Sequence, residues 1–171
     1  TEGGDVITGP LKWYTVASAI ETAVYAELTT KPSRHGVVPG SIAWDECDCG
    51  LLAVSVAQVF LTETFPDQVA RRFSNACDAP YEVGEFVIQV VRCVPGADGQ
   101  VLAPTVAELD ASAQEILQDA YEMLKAVSVK LCQMNDARDI SDFMLRPLTA
   151  QGPTGVCGGN ELRAYVALLR N

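Results

Sequence analysis

Residues 41–56 read SIAWDECDCGLLAVSV, so that Cys47 and Cys49 stand among three carboxylates, Asp45, Glu46 and Asp48. Thiolates and carboxylates are metal ligands, and a structural zinc site usually takes four of them. The Cys-x-Cys spacing is less typical of zinc than Cys-x-x-Cys. Cys77 and Cys157 would complete a four-thiolate set if their loops folded back, with Asp45 or Glu46 standing in for one of them. The simpler expectation is a strand entry anchored by Trp44 with its acidic residues in water, so no metal is assigned. A disulfide from this segment to Cys77 or Cys157 depends on a separation that sequence does not supply.

His35 is the single histidine, and it lies in the Pro/Gly-flanked loop SRHGVVPG. A Ser-His-Asp or Cys-His mechanism therefore has one candidate base. No serine or cysteine sits in a nucleophile-elbow motif. The stretch GPTGVCGG has the glycines of a phosphate cradle without the lysine and following Ser or Thr that grip the phosphates. No catalytic, cofactor-binding or metal-ligating residue is expected, and the chain reads as a non-enzyme. Arg71, Arg72 and Phe73 are the other singular group. In an acidic protein such arginines suit the carboxylates of a neighbouring subunit better than nucleic acid.

The elements that must position these residues follow from patterning. The chain has 171 residues, 49% of them hydrophobic and 20% charged, with a formal charge of −10. That is the composition of one folded domain, spanning 1–171, and its charge gives no general attraction for phosphates. No apolar run is long enough to span a membrane and the N-terminus lacks signal-peptide character, so the expectation is a cytosolic chain with its six cysteines as thiols.

Val16, Ala17, Ile20, Val24 and Leu28 recur at helical steps and predict a helix over about residues 11 to 29, capped by Thr8 and stopped before Pro32. Two stretches rich in Val, Ile and Phe, residues 51 to 64 and 81 to 94, predict strands, with Val54, Val56 and Phe60 on one face. The residues between them are too many for a tight turn and predict a projecting arm near 65–80. Thr105 and Glu108 form a capping box that opens a helix of about 28 residues. Its apolar stripe runs through Leu109, Ala113, Ile116, Leu117, Ala120, Leu124, Val127 and Leu131. A short strand near residues 143 to 149, a flexible QGPTGVCGGN loop and a last strand over 161 to 169 complete the chain. In that last strand Leu162, Ala164, Val166 and Leu168 share one face, opposite Arg163 and Tyr165. The expected fold is α+β, an antiparallel sheet of four or more strands with two main helices on one face, in the order α-β-β-α-β-β.

Four segments carry a resemblance: WYTVASAIETAV, IAWDECDCGLLAVSVAQVFLTETFP, PYEVGEFVIQVVRCVP with PTVAELDASAQEILQDAY, and GPTGVCGGNELRAYVALL. Together they resemble the tail terminator proteins of long-tailed, siphovirus-type bacteriophages, particularly those infecting actinobacteria. The resemblance implies a virion protein of the neck, assembled in the host cytoplasm. It implies a six-membered ring that caps the tail tube, stops its polymerisation and meets the head-completion or stopper ring, while genomic DNA passes through the bore. Such a family brings no catalytic residues and no cofactor. The arm at Arg71, Arg72 and Phe73 is then the expected contact with another subunit or the tube. The alternatives are another neck component, such as a stopper or tail-completion protein, and a cytosolic metal- or thiol-binding module centred on Cys47 and Cys49.

Overall fold

The structure is a computed structural model and describes residues 7–40, 50–68, 79–96 and 103–170. Its elements run α1 (Lys12–Glu27), β1 (Arg34–Val37), β2 (Leu51–Thr62), β3 (Tyr81–Cys93), α2 (Val106–Asp136), β4 (Asp142–Leu145), β5 (Thr149–Thr154) and β6 (Cys157–Leu169). The class is α+β, as the residue pattern predicts, but the sheet is mixed and has six strands, not an antiparallel set in the order α-β-β-α-β-β. The difference arises in two short segments. Arg34–Val37, expected as loop, pairs in parallel with Leu51–Val54 at the sheet's edge. At the other edge, two short strands, β4 and β5, lie end to end along β6. Strands of four to six residues carry too few alternations to be read from periodicity.

One apolar face of the sheet carries both helices. Leu52, Val54, Phe86, Ile88, Val90, Leu162, Ala164, Val166 and Leu168 point into this core from β2, β3 and β6. They meet Val16, Ala17, Ile20, Val24 and Leu28 from the α1 side and Met123, Val127, Leu131 and Met134 from α2. The first helix therefore buries the stripe predicted for it, and β6 shows the expected alternation. Two glycines let layers approach. The ring of Trp13 lies so close over Gly84 that a Cβ there would fall 2.7 Å from it, and a Cβ on Gly159 would fall 1.9 Å from the carbonyl oxygen of Val90. Neither position accepts a side chain without displacing a neighbour.

Several local expectations change. Leu11 occupies the N-cap of α1 without a side-chain cap, so Thr8 does not cap it. Its other end is closed by Lys31, whose Nζ donates to the carbonyls of Tyr25 and Ala26. A register shift between Val56 and Gln58 turns the rest of β2 over. Phe60 consequently leaves the face of Val54 and meets Tyr165 edge-on across the opposite face, with ring centroids 6.3 Å apart. The QGPTGVCGGN stretch is no flexible loop: it forms the β5–β6 hairpin, in which Thr154 pairs with Cys157.

The capping box holds as predicted, with Thr105 accepting from the Glu108 amide and Glu108 from the Thr105 amide. The helix it opens has 31 residues. The side it buries differs from the predicted stripe, since Leu109, Leu117 and Leu124 are exposed while Asp119, Glu122, Met123, Ala126 and Met134 are buried. Two acidic residues on the packed side obscure its period, and apolar residues on the outer side shift the apparent centre of the stripe.

Candidate interaction surfaces

The sheet face turned away from the helices carries a second, smaller apolar cluster, in which Val91 and Cys157 are buried against Leu51 and Cys93, and beside it a network of polar side chains. Glu85, 5% exposed, receives hydrogen bonds from Gln58 Nε2 at 2.6 Å and from Arg163 Nη1 at 3.0 Å. Arg163 also donates to Glu161 at 2.8 Å, and Glu161 accepts from Gln89 at 2.9 Å. Arg163 thus joins two carboxylates on neighbouring strands, and these partners raise its pKa above the ordinary value. Burial, together with the negative charge and hydrogen bond of Glu85, raises the Tyr165 phenol, so its hydroxyl stays protonated. The network is a lattice of hydrogen bonds and ion pairs across β2, β3 and β6.

Beneath the helices, Arg92 is the one arginine among the core-facing positions of β3. It forms a bidentate pair with Asp119 of α2, at 2.8 Å for both bonds, and its Nη2 donates to the Thr30 carbonyl at 2.6 Å. The side chains of Arg92 and Asp119 are 6% and 3% exposed. Burial works against the charge on Arg92, but the bond and charge of Asp119 outweigh it and raise the pKa. Glu122, one turn further along α2, accepts from the amide and hydroxyl of Thr29 at 2.8 and 2.6 Å. Burial would raise its pKa, yet the Thr29 and Gln118 bonds hold it below the usual value. Glu82 is lowered similarly, with burial opposed by hydrogen bonds from Lys12 and Trp13. Among the described residues no buried side-chain polar atom lacks a partner.

His35 lies on β1, with its Nδ1 2.5 Å from Glu21 Oε1 and its ring stacked on Tyr25 at 3.9 Å. Glu21 orients the ring as the third member of a triad would, but among the described residues no serine, threonine or cysteine hydrogen-bonds to it. The pair joins the edge strand to α1.

Cys93 and Cys157, register partners on β3 and β6, are each disulfide-bonded. The expectation of thiols, which rested on the compartment, is therefore corrected for these two. Cys157 is accordingly no thiolate ligand. Cys132 is a free, exposed thiol on α2. The other residues singled out by sequence, namely Trp44, Asp45, Glu46, Cys47, Asp48, Cys49, Arg71, Arg72, Phe73 and Cys77, lie outside the described residues. Among those described, no three His, Cys, Asp or Glu side chains gather as a metal-binding group.

Sequence reasoning missed three pairings: Arg92 with Asp119, Arg163 with Glu85 and Glu161, and Glu21 with His35. A signal for the first existed, because Arg92 interrupts an apolar strand and Asp119 lies among apolar helical positions, and two buried charges of opposite sign require each other. Outside the core, α2 exposes Leu117 and Tyr121, each 69% accessible, and Leu124, 43%. These three form a line on the helix surface.

The fold thus defines an α+β domain with a mixed six-stranded sheet under two antiparallel helices, and with a charged lattice on the opposite face. No family model matches the chain, and no curated protein matches it. No helix among the described residues is long and apolar enough to cross a membrane.

Proposed function

We propose that the chain is a structural subunit of a phage neck, a tail terminator that forms a ring on the tail tube, ends tube polymerisation and joins the tail to the head-completion or stopper ring. The reading begins with the resemblance of the four sequence segments. The structural observation that supports it best is the line of Leu117, Tyr121 and Leu124, exposed on a helix whose opposite side is packed. A monomer gains nothing by holding such side chains in water, whereas an assembling subunit buries them against a neighbour.

Two further features accord with a mechanical role. The ionisable groups of the outer sheet face are engaged with one another across strands, which favours rigidity over chemistry. The formal charge of −10 makes a bore built from these subunits repel the phosphate backbone, so DNA slides through without condensing on the wall. Assembly takes place in the host cytoplasm in this reading, and the disulfides of Cys93 and Cys157 form in the oxidising surroundings of the released particle.

Particles assembled without the chain provide the test, viewed by electron microscopy. Overlong tail tubes are the expected result. Full-length tails beside heads that leak DNA would instead make the chain a stopper or another neck component, and normal joined virions would contradict both.

A further inference from the structure

The two oxidised cysteines, Cys93 and Cys157, face each other at one end of the sheet, as the last residue of β3 and the first of β6. Of the chain's other four cysteines, Cys132 is a free thiol. Cys77 is out of reach. β3 runs 13 residues from Tyr81 to Cys93, about 40 Å at the rise of an extended strand, while Cys77 stands four residues before Tyr81, a tether of at most about 14 Å. Cys77 therefore stays more than about 20 Å from Cys93, and a disulfide needs Cα atoms within about 7 Å. The same holds for Cys157, because Cys157 is the register partner of Cys93 and Leu169 that of Tyr81.

Cys47 and Cys49 are within reach. β2 begins at Leu51, opposite Val91 of β3, and the same antiparallel register carried two residues further sets position 49 opposite Cys93. Position 47 has about 14 Å of chain back to Leu51, enough to cross β3 toward β6, which lies two strand spacings, about 10 Å, from β2. A bond between Cys93 and Cys157 themselves is opposed by the ladder. Both residues sit inside it, with Val91 paired to Gly159 on one side and a 2.7 Å bond from the Val94 amide to the Val156 carbonyl on the other. Ladder partners keep their Cβ atoms about 4.5–5.5 Å apart, wider than the roughly 3.5–4.5 Å of a disulfide. Gly50, at φ 139°, ends the extended run of β2 on its N-terminal side, so a cysteine before it need not keep that spacing.

We infer that Cys93 is bonded to Cys49 and Cys157 to Cys47, so that the acidic stretch of residues 45–49 is stapled to the end of the sheet. Each bond forms when a thiol pair gives up two protons and two electrons to a disulfide oxidant such as oxidised glutathione, which leaves as two thiols. The sulfurs meet at the smaller apolar cluster, where Val91 and Cys157 are fully buried against Leu51 and Cys93. Burial there shields the bonds from an attacking thiolate. The bonds close loops of about 45 and 110 residues, long enough to withdraw much freedom from the unfolded chain. Cys47 and Cys49 are then consumed as thiolates, which removes the ligands on which a metal- or thiol-binding module would depend. Neither bond depends on assembly into a ring.

Peptide mapping by mass spectrometry tests this on the full chain, oxidised in a glutathione buffer, alkylated with N-ethylmaleimide in denaturant and left unreduced. Two maleimides should be taken up, on Cys77 and Cys132, rising to six once the chain is reduced. Cleavage after lysine and arginine leaves Cys47 and Cys49 together on one peptide, with Cys77, Cys93, Cys132 and Cys157 each on another. The expected result is a single product in which the peptide of Cys47 and Cys49 joins those of Cys93 and Cys157. A product of Cys93 with Cys157 alone, a product containing Cys77, or six free thiols before reduction would each overturn the inference. A further cut before Asp48 separates Cys47 from Cys49 and should leave Cys49 with Cys93. Exchanged partners would overturn the assigned pairs. Reduction should also lower the temperature of thermal unfolding, and an unchanged temperature would contradict a staple.

Discussion

The two ends of α2 are held by different means. Its first three turns, from Val106 to Gln118, are largely exposed, with Val106 at 82% and Leu109 at 47%, and their order comes from the Thr105–Glu108 capping box and a bond from Asn160 to the Ile116 carbonyl. From Asp119 onward the same helix is locked by Met123, Val127 and Leu131 in the core and by Asp119 and Glu122 bound to Arg92 and Thr29. The difference teaches that one continuous helix is stabilised in two ways, by capping where it is open and by burial and ion pairing where it packs.

Substitutions on the locked part should break the fold most strongly. Asp119→Ala takes the bidentate partner from buried Arg92, leaving it the more distant and more exposed Glu115 at 3.9 Å, and should cost up to about 3–5 kcal/mol in urea unfolding, because a buried charge that loses its close partner is costly. A loss below about 1 kcal/mol would mean that Arg92 finds water. Leu131→Ala, at a fully buried position, should cost about 2–5 kcal/mol by the same measurement. A near-neutral result would show the helix lifting off the sheet.

Glu122 sharpens the comparison through pH. Its folded pKa lies below the unfolded value, so its stabilisation is complete above the ordinary carboxylate pKa of about 4.3 and disappears as pH falls through the lower folded value. Glu122→Gln should therefore cost more at pH 7 than at pH 3, flattening the acid limb of a stability curve measured by thermal unfolding. Equal losses at both pH values would contradict the assigned bonds. The smallest effect belongs to the open end: Thr105→Ala should cost about 1 kcal/mol or less, with faster amide exchange confined to the first turns of α2. Faster exchange in Met123–Leu131 would show that the two ends are not separable.

The legible parts of the fold were those with long, uniform patterns. Val16 to Leu28 form one unbroken stripe, Leu162 to Leu168 alternate cleanly, and Thr105 with Glu108 mark a helix start by chemistry alone. What stayed hidden depended on pairing between distant residues. The bulge after Val56 turned Phe60 over, which no spacing within β2 announces, and the parallel edge strand at Arg34–Val37 is too short to show a period. The α2 stripe misled because exposed apolar residues and core residues lie side by side on one helix, and periodicity sums them. The candidate surface was thus present in the sequence as Leu117, Tyr121 and Leu124, but burial was needed to separate it from the core.

Assembly is the central claim, and the mass of the purified native chain tests it most directly. Native mass spectrometry, supported by sedimentation at several concentrations, should find a closed oligomer of six copies as the principal species. A chain that stays monomeric at every concentration, with Leu117, Tyr121 and Leu124 in water, would contradict the account.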